Sequence, residues 1–257
     1  MTGRPARPRP ATTEASWPVQ GGREPAWAAE GPEGHLAALY PLLAAAGLGL
    51  GVAAVSEPCP EPPGPAEEAA AASMPPKRRM EFLAGRRAAR RALRAVGLEC
   101  GEIPRAGRLP VFPPGRAASI SHSTGIAVAV ARAPGRDLPL GCDLELRPLP
   151  RGAARLVLRA DEEALLDDAE TPLGAGAAWS VTELFSAKEA AWKALAGPDG
   201  EHPAGPAGSL RDLRACPAGD GLRVCLRTEP AHAVRVRVAR VGAGVFSYVV
   251  GRAAARG

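Results

Sequence analysis

The sequence predicts an α+β protein made of two related halves. Three observations carry that reading: helix followed by strands occurs twice along the chain, two strong helices fall at about 77–96 and 178–196, and several segments alternate strictly between apolar and polar residues. The halves meet near Gly141, which gives expected units over 34–140 and 141–252, a disordered leader over 1–33 and a short tail over 253–257. No sequence repeat is visible.

The leader mixes Pro, Gly, Arg, Thr and Glu without periodicity. Residues 36–55 carry no charge over a length that would span a bilayer, but Pro41, Gly47, Gly49 and Gly51 break the run. A buried helix, a turn and a strand fit it better. Residues 57–76 form a loop with a short Ala-rich helical turn. The first strong helix then runs from about Lys77 to Val96 and stops at Gly97, with Phe82, Leu83, Ala89 and Leu93 as its core stripe. A Pro/Gly-rich connector over 103–115 leads to Ser119–Gly125 and to a strand over Ile126–Ala131.

After a turn at 134–136 comes Leu138–Leu146, the most strictly alternating segment of the chain. Leu138, Leu140, Cys142, Leu144 and Leu146 line one face, so Asp143 and Glu145 point together from the other. Two carboxylates held that close repel, and a hard divalent cation with oxygen ligands relieves the repulsion. Read alone, the segment fits an ordinary half-buried edge strand with a solvated acidic face better than a cation site. A short helix pair follows over 151–169, with Asp161-Glu162-Glu163 suited to a helix start, and a Pro/Gly break at 172–176. On the second strong helix Ser186, Glu189 and Lys193 share one face, and Leu184, Ala187, Ala191 and Leu195 mark a packing face. The plainer alternative for Glu189 and Lys193 is a surface ion pair. Strands are expected at 222–228, 234–240 and 245–250, as an antiparallel meander.

At 257 residues and 46% apolar content the chain is long enough for a sizeable core. The net charge of +5 points to an anionic partner, and phosphate-rich metabolites, acidic proteins and nucleic acids all qualify. Five scattered cysteines without a C-x-x-C pair indicate neither a disulfide framework nor a zinc site, which reads as a reducing, cytoplasmic setting. The charge is concentrated at 77–94, where eight basic residues (Lys77, Arg78, Arg79, Arg86, Arg87, Arg90, Arg91 and Arg94) face one acid, Glu81. Such a run is too unbalanced for salt-bridge lacing within the helix and suits phosphate capture. Arg78 and Arg86 lie about two turns apart and reach one ligand together.

Four stretches, taken together and in order, resemble the 4′-phosphopantetheinyl transferases of the larger Sfp/EntD type. They are K-R-R-M-E-F-L-A-G-R-R-A-A-R-R-A-L (77–93), L-P-V-F-P-P-G-R-A-A-S-I-S-H-S-T-G (109–125), G-C-D-L-E (141–145) and F-S-A-K-E-A-A-W-K-A (185–194). The resemblance covers about 36–252. Phe112 stands where the family usually has Trp and Ala118 where Gly is frequent. The connector between Arg105 and Pro110 is a residue short, so either Arg105 or Arg108 takes the place of the family's phosphate-binding basic residue.

The resemblance implies a pseudo-dimer of two similar α/β halves with coenzyme A in the cleft between them. It also implies transfer of the phosphopantetheine arm onto a serine of an acyl or peptidyl carrier protein, in polyketide, nonribosomal peptide, siderophore or fatty acid synthesis. Asp143, Glu145 and Glu189 would then hold Mg²⁺, or Mn²⁺ in its place, and Glu189 would deprotonate the serine. Lys188 and Lys193 would neutralise phosphate charge. Arg78, Arg86, Arg105 or Arg108, Ser121 and His122 would hold the 3′-phosphoadenosine end, with Asp143, Lys188 and Lys193 nearer the pyrophosphate. A cytoplasmic monomer that binds neither nucleic acid nor membrane completes the expectation. The rivals are another coenzyme A-dependent transferase, which needs no three carboxylates on a metal, and a basic nucleic-acid-binding module. The 4% aromatic content leaves the second rival few stacking platforms.

Overall fold

The computed structural model describes residues 31–58, 64–135, 137–166, 179–196, 204–205 and 208–253. The leader expected over 1–33 falls outside them up to residue 30, as does the break at 172–176. The uncharged stretch becomes the end of α1 (Pro32–Ala37), then α2 (Tyr40–Ala45) and β1 (Leu48–Ala54). Gly47, at φ 75°, makes the turn into the strand. No helix among the described residues is long and apolar enough to cross a membrane.

The Ala-rich turn is α3 (Pro65–Ala72), and the first strong helix is α4 (Pro76–Ala95). Pro76 at the first helical turn costs no hydrogen bond, and Gly97, at φ 77°, follows the last turn. A small hairpin of β2 (Arg105–Ala106) and β3 (Leu109–Pro110) precedes β4 (Ala118–Ser123) and β5 (Ile126–Arg132). β1, β5 and β4 form an antiparallel sheet in that order. α4 lies directly on β1, because Gly51 leaves room for it: a Cβ there would sit 2.0 Å from the Ala88 carbonyl oxygen.

β6 (Cys142–Glu145) is shorter than the alternation predicts. Pro139 lacks an N–H, and the Leu146 N–H goes to Ser123 Oγ at 3.1 Å instead of a ladder. β6 is the edge of a five-stranded antiparallel sheet ordered β6-β10-β9-β8-β7, with β7 (Leu213–Ala218), β8 (Gly221–Leu226), β9 (Ala233–Val241) and β10 (Gly244–Arg252). The sequence reading finds the last three and misses β7. Between β6 and this meander lie α5 (Ala154–Val157), a 3-10 turn over Ala160–Leu165 and α6 (Val181–Leu195). α6 starts on a capping box in which Ser180 and Glu183 satisfy each other's backbone N–H groups at 3.2 and 2.8 Å. It packs on β6 through Gly141, where a Cβ would fall 1.8 Å from the Ala190 carbonyl oxygen.

One long helix thus covers each sheet. Ala88, Ala92 and Leu93 of α4 pack on Ala127 and Ala129 of β5, and Leu184, Ala187 and Ala191 of α6 pack on Val224, Val236 and Val249. A third cluster joins Leu50, Val128 and Val130 of the first sheet to Leu144, Phe246 and Tyr248 of the second. At their meeting edges the sheets are connected by serine hydroxyls. Ser119, Ser121 and Ser123 of β4 accept from the N–H groups of Cys142, Leu144 and Leu146 at 3.0, 3.3 and 3.1 Å. This constant offset lets side chains do what a backbone ladder would do, and it fixes β4 against β6 without slippage.

Candidate active site at the seam of the two sheets

β4 alternates, so its odd residues face β6 and its even residues face α4. Ser121 donates to Asp143 Oδ1 at 2.9 Å, while His122, next along, accepts from Arg78 Nη1 at 2.7 Å. That strand therefore joins two chemical neighbourhoods. One is a basic cavity of about 410 Å³ lined by Arg78, Arg86, Arg105, Arg108, Phe82 and His122. The other is the acidic strand with α6 above it.

In the cavity Arg86 stacks over Phe82 at 4.5 Å and donates to the carbonyls of Ile103 and Pro104 at 2.8 and 3.3 Å. Burial, with the neighbouring cations Arg105, Arg90 and Arg78 acting against Glu67, lowers its pKa to about 10. Arg105 and Arg108 both line the wall, and Arg105 also donates to the Gly107 carbonyl at 2.7 Å. His122 is held below its ordinary pKa by burial and by Arg78, with Glu81 pulling the other way. Neutral His122 offers the cavity a ring N–H once Nε2 has accepted from Arg78.

The rest of the basic run departs from expectation. Arg90 pairs with buried Glu67 at 2.6 Å, Arg91 donates to Glu57 at 3.0 Å and to the Val52 carbonyl at 2.6 Å, and Arg94 pairs with Glu99 at 3.2 Å. Arg87 caps the Glu57 carbonyl at 2.8 Å. Four of the run's eight basic residues thus meet acids outside the helix, and Arg78 and Arg86 are the ones that line the cavity.

On the acidic side Asp143 is not on an open face: it is 4% exposed. Lys193 Nζ donates to its Oδ1 and to the Cys142 carbonyl, at 2.9 and 3.0 Å, and Ser186 Oγ donates to the Asp143 carbonyl at 3.3 Å. Ser186 and Lys193 therefore converge as the shared helix face predicts, but Lys193 pairs with Asp143, not with Glu189. Burial lowers the affinity of Lys193 for its proton, yet the carboxylates of Asp143 and Glu189 outweigh it and the pKa ends raised. Glu145, half-buried, is pushed up to about 7, first by burial and then by Asp143 and Glu189. Burial also raises Glu189, with Asp143 adding to the shift and Lys193 opposing it.

Lys188 corrects the expectation of a phosphate-neutralising lysine. It is fully buried and spends its ammonium on Glu162 Oε2 and the carbonyls of Val157 and Leu213, at 2.9, 2.9 and 3.0 Å. Glu162, expected only to favour a helix start, is its buried counter-ion and also takes Arg227 at 2.6 Å. Burial, opposed by Glu162, lowers the Lys188 pKa. Ser121 Oγ donates to Asp143 Oδ1 and accepts from the Leu144 N–H, at 2.9 and 3.3 Å.

Among the described residues no three His, Cys, Asp or Glu side chains are gathered as closely as a metal site requires. What fits a hard cation is the donor chemistry. Asp143 Oδ2 is buried without a hydrogen bond, and Glu145 and Glu189 both feel Asp143 electrostatically.

Residues 66–132, which run from α3 through β5, match the family model for the 4′-phosphopantetheinyl transferase N-terminal domain. Over this stretch the chain is similar to the 4′-phosphopantetheinyl transferase family. It is 38% identical over 124 residues to enterobactin synthase component D of Escherichia coli O157:H7, and 36% identical over the same length to the protein of that name from Salmonella typhi. These matches cover 46% of this chain and 55% and 49% of the relatives. The chain thus spans about half the length of the curated relatives that it matches. The matched residues include the cationic and histidine side chains that line the cavity, Arg78, Arg86, Arg105, Arg108 and His122, and also Ser121.

Proposed function

We propose that this chain transfers the 4′-phosphopantetheine arm of coenzyme A to a serine of an acyl or peptidyl carrier protein and releases adenosine 3′,5′-bisphosphate. The observation that carries the reading is the pair Ser121 and His122, consecutive on β4, which ties a basic cavity to a carboxylate cluster. A substrate with a phosphorylated nucleotide at one end and a pyrophosphate further along matches that sequence of charges. The two sheets, each under one long helix, support reading the chain as two related halves in a pseudo-dimer.

Arg78, His122, Arg86 and either Arg105 or Arg108 hold the 3′-phosphoadenosine end, as paired guanidinium groups suit phosphate. Asp143, Glu145 and Glu189 hold Mg²⁺ or Mn²⁺, which when bound draws charge from the pyrophosphate oxygens. Glu189 takes the proton of the carrier serine, because its raised pKa makes the carboxylate a better base than an ordinary surface glutamate. Lys193, now on Asp143, is placed to meet negative charge as it grows on the leaving phosphate.

The relatives' name makes a carrier from an enterobactin-type synthase the first to test, beside polyketide, peptide and fatty acid carriers. Incubation of each apo carrier with the chain, coenzyme A and Mg²⁺, followed by intact mass, tests the reading. A gain of one phosphopantetheine arm supports it, and no gain on any carrier overturns it.

A further inference from the structure

Two buried side-chain oxygens without a hydrogen bond belong to residues paired across β6 and β10. They are Asp143 Oδ2 and Ser247 Oγ, and their residues are Cα partners in the antiparallel register. Directly opposed residues project to the same face with Cβ atoms about 4.5–5.5 Å apart. At that spacing one small species between the two side chains would meet both oxygens, which do not bond each other. Ser247 is 0% exposed, so bulk water does not solvate its hydroxyl.

The neighbouring groups are already engaged. Asp143 Oδ1 takes Ser121 and Lys193, and the Ser186 hydroxyl goes to the Asp143 carbonyl. Val245 and Val249, the residues two along β10 on either side of Ser247, bring no side-chain polar atom. A buried hydroxyl without a partner costs about 1–3 kcal/mol, and a buried carboxylate oxygen costs more. Two such atoms in register mark a place built for something that binds oxygen. Hard divalent cations take carboxylate and neutral oxygen together.

We propose that Ser247 supplies a neutral oxygen to the divalent cation held at Asp143 Oδ2. This inference rests on the cation reading of the acidic cluster. It adds a ligand from the carboxy-terminal strand, outside the stretches that carry the family resemblance.

The test is Mn²⁺ titration of the full chain, without coenzyme A or carrier, followed by the electron paramagnetic resonance signal of free Mn²⁺. Ser247→Ala and Ser247→Cys each weaken Mn²⁺ binding by about tenfold, since neither methyl nor thiol is a hard oxygen. In chelator both variants melt at or above the wild-type temperature, because an unpaired buried hydroxyl is gone. A merely structural serine would instead lower the melting temperature and leave Mn²⁺ affinity alone. Wild-type affinity in both variants overturns the proposal while the cation reading stands. No Mn²⁺ binding by the wild-type chain overturns both.

Discussion

Lys193 Nζ lies 2.9 Å from Asp143 Oδ1 across fifty residues of sequence, and it is the counter-charge that lets a carboxylate sit buried between β6 and α6. Asp143→Asn removes that charge while leaving Ser121 a partner. The expected result is loss of at least about a hundredfold in kcat. A modest fall in stability, about 1–3 kcal/mol by urea unfolding, accompanies it, because Lys193 is partly solvated. Activity retained in a folded variant would remove Asp143 from the chemistry.

Arg78 and His122 meet at the mouth of the basic cavity. Arg78→Ala and His122→Ala should each raise KM for coenzyme A by about tenfold with kcat within about twofold, the pattern of lost ground-state binding. An unchanged KM in both would move the nucleotide elsewhere.

Lys188 should behave as a fold residue. Lys188→Met leaves Glu162 buried with only Arg227 for charge, and the expected cost is about 3–5 kcal/mol in urea unfolding. KM for coenzyme A, measured on the folded enzyme at low temperature, should not move. A raised KM with unchanged stability would return this lysine to phosphate binding.

The pH dependence of stability follows from Glu145. Its folded pKa, about 7, lies above its unfolded value, so its contribution is fully present below the unfolded pKa and is lost as pH rises through about 7. In chelator the melting temperature should therefore fall between pH 5 and pH 8, and Glu145→Gln should flatten that fall. Equal slopes in the two proteins would show that other groups set the dependence.

Gly141→Ala should push α6 off β6. The new methyl would meet the Ala190 carbonyl, and backbone cannot yield as a flexible side chain does. A loss of about 3 kcal/mol or more is expected, read as a lower urea midpoint. A wild-type midpoint would mean that α6 shifts freely on β6.

Local pattern made much of this fold legible. The apolar stripes of α4 and α6, the alternation through Cys142 and Leu144, and the Val-Arg repeat of β9 each reflect which face is buried, and that is written in neighbouring residues. β7 was hidden by Pro217, which is tolerated because β7 is a sheet edge and needs donors on one side only. Charge partners were illegible for a related reason. Glu57 and Glu67, which neutralise Arg91 and Arg90, lie 34 and 23 residues away. Glu162 lies 26 residues before Lys188. A helical face shows which side chains are neighbours on the helix; it does not show what packs against them. The seam serines and Ser247 depend on strand register, which follows only once the sheets are assembled.

The central claim is that the cavity at Arg78 and the carboxylates around Asp143 act on one substrate. Its most direct measurement is release of adenosine 3′,5′-bisphosphate, followed together with the carrier's mass, for wild type and Asp143→Asn with and without chelator. Equal amounts of nucleotide and modified carrier from wild type, lost on chelation and in the variant, is the predicted result. Release of the nucleotide without a modified carrier, or full transfer by Asp143→Asn in chelator, would contradict it.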